Sequence, residues 1–285
     1  MLRRQREGSI VCPNCGRLVG VRDEACLGCG TRNPSLWGFA PALRRLGGDF
    51  AFGTFLVFVC GALMLIALAM SGTPTGGGGM FSLLAPDVRV QRLLGASGAY
   101  PVFVQGRWWT VLSAGWLHGG LLHIVFNMMW VRNLSPAVSN LFGAGRMLII
   151  WVVGGATGFT LSSIAGYFLF GVPILGTRAG TTLGASAAIF ALLGALVVYG
   201  RRTGQKAMRK LVWGWVVAGF LFGLLPGIDN WAHLGGFLGG LLVARILDPL
   251  REEKPIHILL GVVLLSISLL AVVVSFLTGY RALER

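Results

Sequence analysis

The chain has 285 residues, 55% of them hydrophobic and only 12% charged. A soluble globular domain carries about twice that charged share, so the composition excludes an ordinary soluble fold and selects a polytopic membrane protein. The formal net charge of +14 would suggest nucleic acid in a soluble chain. Here Lys and Arg cluster in short segments between apolar spans, where they set orientation in a bilayer, and no nucleic-acid partner is expected.

Residues 1 to 35 hold four of the five cysteines, as Cys12-Pro-Asn-Cys15-Gly and Cys26-Leu-Gly-Cys29-Gly; the fifth, Cys60, lies in an apolar span. Each Cys-x-x-Cys is a tight turn that directs two thiolates at one point, and the glycine after it lets the backbone fold back. Four thiolates complete a closed tetrahedral site, which predicts a zinc-ribbon-like module with one structural Zn²⁺ and no catalytic metal. The alternative, two disulfides, needs an oxidising compartment. The basic start (Arg3, Arg4, Arg6) is not followed by an apolar run, so no signal peptide is expected; it argues instead for a cytosolic, reduced end. So small a module has little core, and the metal would supply most of its folding energy. Its docking to a cytosolic protein is an expected use.

A basic linker, 36–49, carries Arg44 and Arg45 and leads into the first apolar span, Phe50 to Met70, which a Gly- and Pro-rich stretch (Ser71 to Gly79) ends. Met80 to Trp109 is too broken by Arg89, Arg92 and Arg107 to span, and its closing Trp108-Trp109 suggests the interfacial aromatic belt; it reads as a partly embedded external loop. Further spans are expected at 117–135, 146–170, 184–200, 211–228, 231–247 and 256–278. The basic loop 201–210, the second-to-third connection between Arg132 and Arg146, and the sixth-to-seventh connection with Arg251 and Lys254 then share one side with the N-terminus. This predicts an integral multi-pass protein of the cell's inner or plasma membrane, N-terminus cytosolic and C-terminus outside. The domains expected are 1–35, linker 36–49, a six-span core 50–247, and a seventh helix with tail, 248–285. No inverted pair of broken helices of the transporter kind is seen.

Ser186 lies near the start of the fourth span, in Gly184-Ala-Ser186-Ala187, and His233 near the start of the sixth, followed by Gly236 and Gly240. A lone hydroxyl in an apolar span usually bonds back to its own helix. Gly-x-x-x-Gly, however, lets two membrane helices approach closely, and an imidazole brought to a hydroxyl can activate it as a nucleophile. His123 and Asn127 share one face of the second span; they are either bridging polar groups or, with backbone N–H groups near Ser186, donors to an oxyanion. His118 is expected to hold the loop or helix start, and His257 to be interfacial. Under the expected topology Ser186, His233, His123 and Asn127 lie at one depth, below the outer surface. Gly95-Ala-Ser97-Gly98 looks like a catalytic turn but sits in the loop, followed by Tyr-Pro rather than by a helix to orient a nucleophile. No Gly-x-Ser-x-Gly elbow supports an α/β-hydrolase.

The run from Gly106 to Asn127, then Gly184-Ala-Ser186-Ala187, then Ala232-His233-Leu-Gly-Gly236-Phe-Leu-Gly-Gly240 resembles the rhomboid intramembrane serine proteases, over roughly residues 80 to 247. The resemblance implies an all-α, six-helix membrane bundle with one extra C-terminal helix. It implies a Ser186–His233 dyad without a third acid, with His123 and Asn127 at the oxyanion, and transmembrane protein substrates cut near the outer face. The alternative is a rhomboid-like protein without useful activity that binds membrane helices and docks through the zinc module. Three positions depart from the family pattern: Ala187 stands where a glycine is usual beside the nucleophile, Thr110 where an arginine steadies the first loop, and Ser139 where a glutamate is typical.

Overall fold

The computed structural model describes residues 5–12, 15–40, 51–72, 83–169, 180–225 and 227–283. Arg3, Arg4, Arg44 and Arg45, and residues 73–79 of the Gly- and Pro-rich stretch, lie outside the described residues. The chain divides into two compact units, Met1–Ala51 and Phe52–Arg285.

In the first unit, β1 (Ser9–Val11) pairs antiparallel with β2 (Leu18–Gly20), Ile10 opposite Val19. Two turns of the same construction follow the two cysteine pairs. The Cys12 amide donates to Arg17 O at 2.7 Å and Gly16 closes the turn back on Cys12 O; the Cys26 amide donates to Thr31 O at 2.9 Å and Gly30 closes back on Cys26 O. Gly16 and Gly30 adopt φ of 75° and 72°, a left-handed conformation that glycine reaches without steric cost. The apolar core of this unit is Ile10, Val19, Val21 and Ala40 with the Cys12 and Cys26 side chains.

The second unit is all-α. Its elements are α1 (Phe52–Ser71), α2 (Val88–Leu94), a π-helical turn (Tyr100–Val104), α3 (Thr110–Ser113), a 3₁₀ turn (Ala114–Trp116), α4 (Leu121–Phe142), α5 (Ala144–Phe168), α6 (Ser186–Arg202), α7 (Lys206–Phe222), α8 (Asn230–Ile246) and α9 (Pro255–Leu283). Among the described residues, Phe52–Ser71, Ala144–Phe168 and Pro255–Tyr280 are by themselves long and apolar enough to cross a membrane; Thr110–Trp116 and Leu121–Phe142 qualify together, bent by 92°. Helices α6 and α8 have 17 residues each, about 25 Å of rise against a hydrocarbon core of about 30 Å. They are inner helices, with most of α6 and about half of α8 buried.

The bundle centre is built on glycine. Helices α5, α6 and α8 approach until backbones touch: a Cβ on Gly236 would strike the Ala187 carbonyl, and one on Gly240 that of Ala191. A Cβ on Gly194 of α6 would lie 2.9 Å from Leu241 N, and one on Gly158 of α5 would lie 2.6 Å from Ala232 O. Where lipid competes equally for apolar side chains, such close van der Waals approach is what drives helix association.

Three boundaries differ from expectation. The second span runs on to Phe142 through Pro136 and meets the third across a single residue, Gly143, at φ 91°. The anticipated loop between Arg132 and Arg146 is therefore helix and hinge; Pro136 costs the helix one donor, and Gly143 supplies the left-handed turn. The fifth helix starts at Lys206, inside the expected basic loop, because Lys and Arg are good helix formers whose long stems keep their charge at the surface. The segment expected as a partly embedded external loop, 80–109, forms short helical turns at Val88–Leu94 and Tyr100–Val104 in its described part, with Leu94, Ala96 and Ser97 buried.

Arg146, 2% exposed, holds the join between α8 and α9. Its guanidinium donates to Asp248 O and Arg251 O (2.8 Å each), to Glu252 O and Phe142 O, and to His257 Nδ1 (3.2 Å). Its amide donates to the Glu253 carboxylate at 2.8 Å, which packs against Gly143. His257 is thus a bonded part of this latch rather than a merely interfacial residue. Beside it, the Leu250 amide and then Arg202 hold the Asp248 carboxyl below its usual pKa.

Glycine-to-alanine substitutions separate packing from propensity. Gly240→Ala should lower stability by about 1–3 kcal/mol through the collision with α6. Gly214→Ala in α7, with open space around it, should be neutral or stabilising by up to about 1 kcal/mol. Thermal unfolding in detergent reads both, and equal effects would contradict the packing described.

Candidate active site and metal cluster

Helix α6 begins at Ser186, and Ala185 before it has no side-chain acceptor for the first-turn amides. Those N–H groups and the positive helix end are left beside the Ser186 hydroxyl. The approach to this point is held by backbone bonds. Thr182 and Ser97 exchange two, at 2.9 and 2.8 Å, and the Gly184 amide donates to Ala114 O at 3.0 Å. Gly184 itself has φ 120°, and a Cβ there would lie 2.5 Å from His123 Nε2.

His233 is 5% exposed. Its ring stacks on Phe190, centroids 4.3 Å apart and planes at 13°. Phe190 is four residues beyond Ser186, on the same helix face, so the stack lays the imidazole along the face that carries the hydroxyl. The Asn230 amide N donates to Phe220 O at 3.1 Å, which turns its Oδ1 to His233 Nδ1 at 3.3 Å. An oxygen there puts the imidazole proton on Nδ1 and leaves Nε2 as the basic nitrogen.

The opposite tautomer is imposed on His123. Its Nδ1 accepts from the Gly119 amide at 3.2 Å, so Nε2 carries the proton, on the side of Gly184. Asn127 donates one amide hydrogen to His123 O at 2.9 Å and keeps a second. The four residues singled out from the sequence therefore gather where α4, α6 and α8 begin.

Phe190 and Asn230 escaped the sequence reading. The signal available was helical spacing: i+4 from Ser186 and i−3 from His233. His118, 2% exposed, packs edge-to-face on His123 at 5.2 Å. Ser97 is fully buried, its hydroxyl within 3.3 Å of Thr110 Oγ1 and 3.4 Å of Ser163 Oγ. A single π-helical turn does follow it, contrary to expectation, but its backbone bonds make it a support of the Ser186 approach.

The three departures from the family pattern have local answers. The Ala187 methyl faces Gly158, where a Cβ would lie 2.7 Å away; the extra carbon is matched by a glycine opposite. Thr110 is buried and donates to Arg107 O at 2.8 Å. Arg107, three residues earlier, supplies the guanidinium to the loop, donating to Arg92 O at 2.9 Å and Ser275 O at 2.7 Å. Near Ser139, the carboxylate at the α4–α5 hinge comes from Glu253.

In the first unit the ligand atoms of Cys12, Cys15, Cys26 and Cys29 all lie within 4.8 Å of one another. Cys12 and Cys29 sulfurs are 3.7 Å apart, Cys15 and Cys26 sulfurs 3.6 Å. Sulfurs bonded to one tetrahedral zinc at about 2.3 Å stand about 3.8 Å apart, so the donor set fits such an ion. No disulfide joins any of the four, so the disulfide alternative is not adopted.

A family model described as Rhomboid domain matches residues 105–249. The chain belongs to the rhomboid family. This rhomboid is 28% identical over 222 residues to RHOMBOID-like protein 4 of Arabidopsis thaliana, covering 70% of the chain and 52% of that protein. It is 33% identical over 151 residues to Rhomboid protease GluP of Bacillus subtilis, covering 51% and 27%. To Rhomboid-like protease 5 of Toxoplasma gondii it is 33% identical over 171 residues, covering 55% and 18%. The chain spans about half the length of the first of these relatives and less of the other two. With its apolar helices, the family membership makes this a multi-pass membrane protein.

Gly184→Ala tests the tightness of the site. Positive φ and the clash with His123 should together cost about 1–3 kcal/mol, seen as a lower unfolding temperature. A variant as stable as the parent would mean that the imidazole does not lie against Gly184.

Proposed function

We propose that this rhomboid is an intramembrane serine endopeptidase in which Ser186 is the nucleophile and His233 its base. The observation that carries the reading is the Ser186–Phe190–His233 arrangement, a hydroxyl at an uncapped helix start on the face against which an imidazole is stacked. With Nδ1 bonded to Asn230 Oδ1, Nε2 of His233 takes the Ser186 proton as Oγ attacks a peptide carbonyl, and returns it to the departing amine. Water then attacks the acyl-serine, its proton going to the same nitrogen. The charge that develops on the carbonyl oxygen is met by the first-turn amides of α6, by His123 Nε2–H and by the second Asn127 hydrogen. Asn230 orients without carrying charge, as a neutral third member.

The substrates are transmembrane proteins, the relatives named as proteases being rhomboids as this chain is. The loop charges put the N-terminus in the cytosol and so the start of α6 toward the outer face, where water can enter. The cysteine cluster holds one structural Zn²⁺. A closed four-thiolate set has no ligand position for a reacting water, so the metal stabilises its own module and takes no part in hydrolysis; a cytosolic partner would be its docking target.

The test is purified full-length protein in liposomes with a transmembrane reporter and a fluorophosphonate that labels activated serines. Ser186→Ala and His233→Ala should each abolish cleavage and labelling with little change in melting, while Ser97→Ala keeps its labelled nucleophile. His123→Ala with Asn127→Ala should slow turnover by on the order of 10²–10³. Labelling that survives in Ser186→Ala would sink the assignment; a folded parent that neither cleaves nor labels would make the chain a helix-binding member of the family.

For the metal, elemental analysis should give about one zinc per chain, lost in Cys12→Ser with Cys15→Ser, while cleavage of a short reporter persists. A folded double mutant that loses turnover would contradict a purely structural ion.

A further inference from the structure

The last helix of the chain is bonded to the machinery around Ser186 by a pattern that spaces itself. Trp109 and Trp116 are seven residues apart, as are Ser268 and Ser275 on α9, two turns on one helix face. Trp109 Nε1 donates to Ser275 Oγ and Trp116 Nε1 to Ser268 Oγ, each at 3.2 Å. Ser268 and Ser275 are 2% and 0% exposed. Two further contacts fall on the same face of α9. Arg107 donates to Ser275 O at 2.7 Å, and a Cβ on Gly95 would lie 2.6 Å from Ser275 Oγ.

The groups held by α9 are those that hold the nucleophile's approach. Gly95 O accepts from Ser113 Oγ at 2.7 Å, and two residues on, Ser97 exchanges both backbone bonds with Thr182. Ala114, two residues before Trp116, accepts from the Gly184 amide. Arg92, whose carbonyl Arg107 ties down, donates to Thr181 Oγ1 at 2.7 Å. Each contact on α9 is thus one or two steps from residues 181–184, which lead directly into Ser186. Indole-to-hydroxyl bonds are directional, and with Ser268 and Ser275 buried a broken bond leaves an indole donor without a ready replacement.

We propose that α9 braces the nucleophile through the first loop, with Ser268 and Ser275 as positioning residues that set where Ser186 stands. They touch neither Ser186 nor His233, so they act on turnover through geometry. The kinetic part rests on the protease reading above; the structural part does not.

The experiment uses the full chain with Ser268→Ala and Ser275→Ala combined, a change of two hydroxyls that leaves α9 helical. Amide hydrogen exchange of Thr182 and Gly184 should speed up about tenfold as their segment opens more often. Turnover of a transmembrane reporter should fall about tenfold, less than the hundredfold that a 1 Å misplacement of reacting groups can cost, with KM and melting temperature near the parent's. Ser268→Thr with Ser275→Thr, which keeps both hydroxyls, should restore both readouts. Thr278→Ala, whose hydroxyl bonds only within α9, should change neither. If the serine pair does not fold when replaced, Trp109→Phe removes one bond from the loop side and is read in the same way. Parental exchange rates at Thr182 and Gly184 overturn the brace; so does a rise in KM at unchanged turnover, which would make α9 a substrate-binding surface. A parent that shows no turnover sinks the protease reading alone, and the exchange rates then decide the brace.

Discussion

Everything in the membrane unit depends on the distance between α6 and the two helices that clasp it. Gly236, Gly240, Gly194 and Gly158 bring backbone against backbone, and no side chain could replace them without moving a helix. The same approach that stabilises the bundle brings His233 onto the Ser186 face of α6. Stability and candidate chemistry thus share one constraint: loosening the seam for any reason also withdraws the imidazole.

The polar groups at this seam show how a membrane interior handles histidine. His233 and His123 occupy opposite tautomers, each set by a partner on Nδ1: an amide oxygen in one case and a backbone N–H in the other. That difference separates a nitrogen that can accept a proton from one that can only donate. Ser97, by contrast, carries a suggestive local sequence but has its hydroxyl enclosed by Thr110 and Ser163. Hydrogen-bond surroundings, rather than motif, distinguish the two serines.

Two buried arginines join α9 to the rest of the bundle. Arg146 collects the carbonyls of the turn that leads into α9, and Arg107 reaches a carbonyl near its far end. A buried guanidinium is costly unless its donors are used. Arg146 spends its donors on main-chain oxygens and His257. Arg107 bonds main-chain oxygens through both terminal nitrogens, while its buried Nε has no partner among the described residues. The result is directional attachment at two levels of a helix whose surface is otherwise apolar and largely exposed. Family departures that look like losses in the sequence, Thr110 and Ser139, fall beside these attachments, where Arg107 and Glu253 supply comparable groups from elsewhere in the chain.

Sequence alone determined much of this protein, because the decisive signals were local and periodic. The charged share of the composition, the apolar runs, the paired Cys-x-x-Cys turns and the Gly-x-x-x-Gly after His233 each follow from spacing along one segment, as does the shared face of His123 and Asn127. Within the first unit the four cysteine sulfurs lie together, and within the second His123 lies against the Gly184 approach to Ser186. Tertiary structure decided what depends on two segments meeting. Asn230 and Phe190 are ordinary helix residues until His233 lies between them. Gly158 is one glycine among 44 until the Ala187 methyl is opposite. Ser268 and Ser275 are neutral residues in an apolar helix until two tryptophans more than 150 positions away, at separations of 152 and 166, point at them. The helix boundaries at Gly143 and Lys206 depart from the hydropathy pattern for a related reason: hydropathy marks where lipid ends, whereas backbone hydrogen bonding, continued through Pro136 and begun in a basic run, marks where the helix does.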